Sequence, residues 1–177
     1  MSELTSQPTN MSFLSPLKFG FNVAKLPNVN FFCQSVLLPA ITLPKLDVST
    51  PFVRIPMPGD HIDFGEMQIT FRVDEDMKNY IEVFNWITAL GSPSTFDDYK
   101  QMSDSDRRLN PLGTQEIVSD ASLLIFNSAA NPNIEIKFKG LFPSTISELT
   151  LDLRAQDVMY IECVASFNYE QYEIIPL

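Results

Sequence analysis

The sequence predicts a mainly β protein in which two antiparallel sheets pack as a barrel-like sandwich with one flanking α-helix. Most segments carry apolar residues at every second position, which is the pattern of a strand with one buried face. A single segment shows helical periodicity. The 13 prolines gather in connections, and hydrophobic residues make up 45% of the chain, enough for a core.

Alternation predicts the strands of the N-terminal third. Phe19, Phe21 and Val23 share one face of "KFGFNVAKL", and a second run, "VNFFCQSVLL", follows a hairpin turn predicted at Pro27 and Asn28. The predicted face of the second strand holds Val29, Phe31, Cys33, Ser35 and Leu37. Residues 1–17 are predicted to be a flexible N-terminal arm, and residues 18–177 a single domain.

Residues 38–60 combine five prolines with many apolar residues. The prolines disfavour a helix or a central strand, and a loop this long and apolar is unusual in a compact domain. We therefore expect an extended arm, which either packs over its own sheet or docks on a neighbouring subunit. Under the second alternative the contact residues would be Leu38, Pro39, Ile41, Leu43, Val48, Phe52 and Ile55.

Alternation returns in "FGEMQITFRV", and the helical pattern follows in "DEDMKNYIEVFNWITALGSP". The buried face of the strand is predicted to hold Met67, Ile69, Phe71 and Val73. Asp74 is a suitable N-cap and Gly91 a suitable stop for the helix. Its apolar stripe is predicted at Met77, Tyr80, Ile81, Phe84, Ile87 and Thr88. Trp86 lies off that stripe, so we expect it to contact a neighbouring subunit or a loop.

The last third is again predicted to be β. Residues 92–132 are predicted to be an irregular insertion, although "ASLLIF" within it is typical of a strand. The stretch "IEIKFKGLFPSTISELTLD" predicts a hairpin with its turn at "LFPS" and a second strand whose face holds Leu149, Leu151 and Leu153. The run "MYIECVASFNYEQYEI" predicts the longest strand, with an alternating face of Met159, Ile161, Cys163, Ala165, Phe167 and Tyr169.

Composition and motifs disfavour several classes of function. The net charge of −10 argues against nucleic-acid binding, which depends on Lys and Arg. His61, the single histidine, lies between Asp60 and Asp63, but no nucleophile elbow or phosphate loop accompanies it. We predict no enzyme activity, metal or cofactor. Cys33 and Cys163 are expected to be reduced thiols. We also expect no membrane span and, without a signal-peptide pattern, a cytoplasmic site of synthesis.

Several motifs, taken in order along the chain, resemble the tail tube proteins of contractile-tailed, T4-like bacteriophages. They include "FFCQSVLLPAITL", "PGD" ahead of "ITFRVDED", and the helix "NYIEVFNWITAL". The closing block is the most specific, with "IEIKFKGLFPSTISELTLD" followed by "YIECVASFNYEQYEI". The resemblance spans residues 18–172, with a looser fit through residues 92–132.

The resemblance implies a structural virion protein of the tail, assembled in the host cytoplasm. Its copies would form hexameric rings whose inner sheets join into a β-lined channel, and the rings would stack into the inner tube that conducts DNA. The implied partners are further copies of the chain, the tail sheath and baseplate proteins. The tape-measure protein and DNA would pass without specific binding. We expect Glu162 and Glu170 to face the lumen, and residues 38–60 with Trp86 to contact other subunits.

Alternatives remain open at this stage. The same fold also serves baseplate proteins that initiate the tube, and tubes of secretion or injection systems related to phage tails. Outside the resemblance, the chain could be a monomeric β-sandwich binding module with its apolar arm packed on itself. A hydrolase that uses His61 is the remaining alternative.

Overall fold

The computed structural model describes residues 12–91, 118–152, 154 and 160–177, and its fold is mainly β, as predicted. Residues 1–11 of the expected arm at residues 1–17, and most of the expected insertion at residues 92–132, therefore lie outside the described residues, and residues 12–17 form neither helix nor strand. In chain order the elements are β1 (Phe19–Val23), α1 (Pro27–Phe32), β2 (Cys33–Leu37), β3 (Ile41–Thr42), β4 (Lys45–Ser49), β5 (Arg54–Pro58), β6 (Asp63–Phe64), β7 (Met67–Arg72), α2 (Lys78–Gly91), β8 (Ser119–Phe126), β9 (Pro132–Ile146), β10 (Glu162–Asn168) and β11 (Gln171–Pro176).

The long strand β9 belongs to two antiparallel sheets. Its first half pairs with β8 and β11, and β8 pairs with β1, which gives a sheet of order β1-β8-β9-β11, here called sheet A. Its second half pairs with β10, which continues through β7 to β2, giving the order β9-β10-β7-β2, here called sheet B. The two sheets pack around one apolar core, but no pairing of β1 with β2 closes them into a barrel in the described part of the chain.

Alternation predicted the strands that have one buried side. In β7 the side chains of Met67, Ile69 and Phe71 are fully buried, and in β10 those of Cys163 and Phe167 are as well. The residues between them point to the opposite side of the sheet, because successive side chains of a strand alternate. The same pattern in β1 and β8 is confirmed, so the segment "ASLLIF" is a strand and only residues 92–117 of the expected insertion lie outside the description.

The predicted hairpin turn at Pro27 and Asn28 is wrong, because these residues begin the short helix α1. Proline fits the first helical position, where its missing N–H is not needed. The side chain of Asn30 then forms two hydrogen bonds with the backbone of Val23, the last residue of β1. Its Oδ1 accepts from the N–H of Val23 and its Nδ2 donates to the carbonyl of Val23, both at 2.9 Å. The predicted strand therefore starts only at Cys33.

The predicted hairpin between residues 134 and 152 is also wrong. The chain runs without interruption as β9 through Gly140 and Pro143. Gly140 has a φ of 65°, so it bends the strand from sheet A to sheet B without ending it. Pro143 lies beside a register shift against β10, where a missing backbone donor is tolerated. The predicted longest strand is instead divided, because Tyr169 and Glu170 turn the chain from β10 in sheet B to β11 in sheet A.

The buried side of α2 matches the predicted stripe only in part: Tyr80 and Ile87 pack against the core, but the centre of the buried side lies elsewhere. Trp86 is 4% exposed and its ring lies 6.4 Å from that of Phe167, whereas Phe84 is 51% exposed. The inward residues of α2 are Asn79, Val83, Trp86 and Ala89, whereas Ile81 and Phe84 are exposed, as is Met77 just before the helix. Both sides of the helix are apolar, so periodicity alone misplaced the centre of the buried side. Trp86 is a core residue of the subunit. No helix in the described ranges is long and apolar enough to cross a membrane.

Replacing Trp86 and Phe84 of α2 one at a time should show which side of the helix is buried. Trp86→Ala leaves a cavity against Phe167 and should lower the free energy of unfolding by about 3–5 kcal/mol. Phe84→Ala removes a ring that is half exposed and should cost less than about 1 kcal/mol in unassembled protein. Urea unfolding at low protein concentration measures both values. Equal losses would contradict the assignment of the buried face.

Candidate assembly surfaces

The strands β3 to β6 form one long hairpin, defined here as residues 41–64. β4 pairs with β5 over five residue pairs, and β3 pairs with β6 nearer the sheets. At the tip the hydroxyl of Thr50 donates to the carbonyl of Val53 at 2.5 Å and accepts from its N–H at 3.1 Å. This closed turn leaves Phe52 95% exposed. The predicted extended arm is therefore a β-hairpin.

The long hairpin has one apolar and one polar side. Leu46 lies opposite Met57, and Val48 opposite Ile55; because paired residues and alternate residues share a side, these four form one surface, called the apolar face. Their side chains are 44–58% exposed. The other side carries Lys45, Asp47, Ser49 and Arg54. The alternative in which this segment packs over its own sheet is wrong for β4 and β5.

A glycine joins the two parts of the long hairpin. The N–H of Gly59 donates to the carbonyl of Pro44 at 2.7 Å, which ties β5 back to β4. A Cβ built at Gly59 would lie 2.6 Å from that same carbonyl oxygen. Such a distance is far inside van der Waals contact, so the close approach of the two strands requires glycine here.

Aromatic rings hold the root of the long hairpin against sheet A. The ring of Phe64, the last residue of β6, lies 5.7 Å from that of Tyr172 and 6.0 Å from that of Tyr169. Both tyrosines also pack on Phe138 of β9, at 5.5 and 5.2 Å respectively. Ring pairs at these separations attract each other beyond simple burial. We call these four residues the aromatic clamp.

The hydroxyls of the aromatic clamp contact the backbone at both ends of the hairpin. Tyr169 donates to the carbonyl of Gly65 at 2.9 Å, and Tyr172 makes a longer contact of 3.5 Å with the carbonyl of Pro39. Burial, with a smaller contribution from Tyr172, raises the pKa of Tyr169 to about 12. The phenol therefore remains a donor throughout the physiological range. Pro39, predicted as an intersubunit contact, is buried at this root.

The outward side of sheet B is largely polar and is called the polar face. Its side chains include Ser35, Gln68, Thr70, Arg72, Thr145, Glu162 and Asn168, with Leu37, Phe142 and Val164 among them. Arg72 and Glu162 are its charged members in the described residues, and Nε of the first lies 3.9 Å from Oε1 of the second. This separation allows only a weak ion pair at an exposed site. The face is close to neutral.

Sheet B also has two edges without charged residues. β2 pairs only with β7, and residues 142–146 of β9 pair only with β10 within the described part of the chain. The sequences "CQSVL" and "FPSTI" at these edges carry no charge. Isolated sheets commonly protect their edges with charged residues. One edge of sheet A does so, because Glu173 of β11 accepts from Lys139 at 2.7 Å, whereas its other edge, β1, has no charged residue.

The structure separates the two residues expected to face a lumen. Glu162 begins β10 on the polar face, whereas Glu170 lies in the turn after β10, where its N–H donates to the carbonyl of Lys139 at 3.0 Å. Of the expected intersubunit contacts, Leu38, Ile41, Leu43, Val48, Phe52 and Ile55 are exposed, while Pro39 and Trp86 are buried. Sequence reasoning missed the aromatic clamp, because its members come from distant segments.

Groups suited to catalysis do not gather in the described residues. His61 is exposed in the loop before β6, and no group of three or more His, Cys, Asp or Glu residues is placed to hold a metal there. Burial raises the pKa of Cys33 to about 11 and also raises that of Cys163. Both thiols are therefore protonated at neutral pH and poor nucleophiles.

Comparison with known proteins gives a family match and several structural likenesses. A family model described as "Phage tail tube protein" matches residues 6–175. The chain is similar to the anti-feeding prophage tube terminating cap, with a TM-score of 0.64, 12% identity and coverage of 99% of this chain and 100% of that one. It is equally similar to a chain of the PVC sheath–tube complex of an extracellular contractile injection system, with a TM-score of 0.64, 13% identity and coverage of 99% and 100%.

A third solved structure, the PVC sheath/tube terminator, gives a TM-score of 0.56 at 15% identity and covers 94% of this chain and 99% of that one. At such identities these likenesses show the fold alone. No curated protein matches the sequence.

Removing one hydroxyl from the aromatic clamp should loosen the hairpin. Tyr169→Phe keeps the ring but leaves the carbonyl of Gly65 without its donor, a loss of about 1 kcal/mol. Limited proteolysis within residues 41–64 should become several-fold faster. Tyr160→Phe is the matched control, since Tyr160 is exposed and its ring contacts Arg72 instead. Equal cleavage of both variants would show that the clamp hydroxyl does not hold the hairpin.

Proposed function

Because the chain belongs to the phage tail tube protein family, whose model matches residues 6–175, we propose that it is the repeated subunit of the inner tube of a contractile tail. Six copies form a ring, and rings stack into a conduit inside a sheath, above a baseplate. In a phage the conduit carries DNA; in a related injection system it carries another cargo. The role is structural, in a particle assembled in the producing cell's cytoplasm.

The exposed apolar face of the long hairpin is the observation that carries this proposal. Burying a large aliphatic side chain contributes about 1.5–3 kcal/mol. The four side chains of the apolar face are about half exposed, so covering them would contribute roughly 3–6 kcal/mol per hairpin before the costs of association. A second copy in the adjacent ring supplies this cover. An isolated two-stranded hairpin gains nothing comparable in water.

The strand count of sheet B supports a closed ring. Its four strands alternate in direction, so its two edges, β2 and residues 142–146 of β9, run in opposite directions. When β2 of one copy meets β9 of the next, the new pair is antiparallel, like every other pair in the sheet. Such a head-to-tail contact closes into a ring when its rotation allows. It also covers both uncharged edges.

In this arrangement the polar face of sheet B lines the channel. Arg72, its one cation among the described residues, lies beside Glu162, so the wall offers DNA little net positive charge to bind. This refines the expectation of an acidic lumen: Glu162 faces the channel beside a cation. The outward side of sheet A, with Glu135, Lys137 and Lys139, then faces the sheath.

A charge placed on the apolar face should stop stacking. Val48→Asp would force a carboxylate into the contact between rings, so we expect single rings and no tubes in negative-stain images of concentrated protein. Ser49→Asp, on the polar side of the same strand, is the matched control and should assemble. Val48 is 44% exposed in the subunit, so the thermal unfolding of unassembled protein should change little.

Wild-type protein that stays monomeric at every concentration would count against the proposed function. Tubes formed equally well by both variants would remove the hairpin from the contact between rings. The number of copies per particle then distinguishes the two roles. A repeated subunit would be present in many stacked rings, whereas a tube initiator would form a single ring.

Hydrogen exchange should locate the contact within a ring. The β2 amides that do not bond to β7 should exchange quickly in dilute protein and at least ten-fold more slowly in rings. Amides of β7, which is paired on both sides, are the internal control and should be protected in both states. Fast exchange of every unpaired β2 amide in assembled rings would contradict the proposed edge pairing.

A further inference from the structure

The outer side of α2 carries an apolar surface that no described part of the subunit covers. Met77 lies just before α2, with a φ of 55°, and its carbonyl accepts from the N–H of Ile81 at 2.9 Å. Ile81 and Phe84 lie within the helix, three residues apart and therefore neighbours on its surface. Their side chains are 39%, 46% and 51% exposed. We call these three residues the helix stripe. It lies opposite the core residues Val83 and Trp86.

We propose that the helix stripe of one copy receives the apolar face of the long hairpin from a copy in the next ring. This inference rests on the proposed function, which requires contacts between rings but does not say where the hairpin binds. Within one subunit the two surfaces do not cover each other, since both remain exposed. The chain thus carries both surfaces of the contact. The apolar face of the hairpin is called the donor surface and the helix stripe the acceptor surface, and in this proposal they meet only between two copies.

The two surfaces match in size. The apolar face is two strands wide, about 4.8 Å between strands, and its residues repeat at about 6.8 Å along each strand. Ile81 and Phe84 of the helix stripe are about 4.5 Å apart along the helix axis, and Met77 adjoins them before the first turn. Four aliphatic side chains of the hairpin can therefore cover the three of the stripe without leaving an apolar row at either end.

The surrounding charges are complementary. In the outer part of the hairpin, residues 45–58, two basic residues, Lys45 and Arg54, stand against one acidic residue, Asp47. Asp60 and Asp63 lie near the root, so residues 41–64 as a whole carry one more acid than base. The segment that leads into α2 carries three acids at residues 74–76 and one Lys. The locally basic outer part of the hairpin is therefore drawn toward the acidic segment before the helix, and the attraction weakens with salt.

Donor and acceptor are different surfaces of the same chain, so their contact is heterologous. A heterologous contact that does not close on itself repeats without limit. Each ring would present hairpins at one end and helix stripes at the other, and every added ring would restore both. Stacking in one direction follows from this arrangement alone.

Paired cysteines test the contact directly. The double variant Val48→Cys with Phe84→Cys should form, on mild oxidation of tubes, a reducible ladder of dimers, trimers and longer species. A second pair, Ile55→Cys with Ile81→Cys, guards against poor geometry at one position. Ser49→Cys with Asn85→Cys, next to the first pair on other sides of the strand and helix, should give no ladder. Wild-type protein is the blank for the native cysteines.

Mixing tests the direction of stacking. Preformed rings of Val48→Asp keep only the acceptor, and those of Phe84→Asp keep only the donor. Neither should stack alone, whereas a mixture should give pairs of rings and no longer stacks.

Each failure has a distinct meaning. If wild type forms no tubes, the proposed function fails. If tubes form but neither cysteine pair gives a ladder, or Phe84→Asp assembles normally, the inference alone is overturned. It is also overturned if Phe84→Asp strongly lowers the unfolding temperature of the unassembled subunit, because the stripe would then be covered within its own chain.

Discussion

The described part of the chain leaves the apolar face of its long hairpin uncovered. Val48 and Ile55 pair across the long hairpin with about half of each side chain exposed, and the core under the two sheets is built from other residues. Exposed apolar surfaces of this kind commonly mark the places where another molecule binds. In our account, rings stack because each copy buries the apolar face of a copy in the next ring. The uncharged edges of sheet B act in the same way within a ring, where each copy completes the backbone hydrogen bonds of its neighbour.

Burial of the hairpin by another copy requires that the hairpin be held in a fixed direction before the two copies meet. A free two-stranded ribbon would lose too much conformational entropy on docking. The aromatic clamp lowers that cost in advance, because Phe64 is held between Tyr169 and Tyr172, and Tyr169 also fixes the carbonyl of Gly65. Tyr169 directly follows β10 of sheet B, and Tyr172 is the second residue of β11 of sheet A. One turn thus couples the wall of the proposed channel to the direction of the hairpin.

Sequence reasoning succeeded where burial is one-sided and failed where it is not. β7 and β10 alternate because one side faces the core, so their inward residues were predictable. α2 is apolar on both sides, and only tertiary packing on Phe167 selects Trp86 over Phe84. Gly140 and Pro143 are typical of a turn, yet β9 bends through them because it crosses between sheets. The aromatic clamp joins residues more than a hundred positions apart, which no local pattern reveals.

A cryo-EM reconstruction of the assembled protein tests the central claim most directly. If the account is correct, the side chains of Val48 and Ile55 will lie in van der Waals contact with a copy in the adjacent ring. Stacked rings in which these hairpins project into solvent, or fold back over their own sheets, would contradict it.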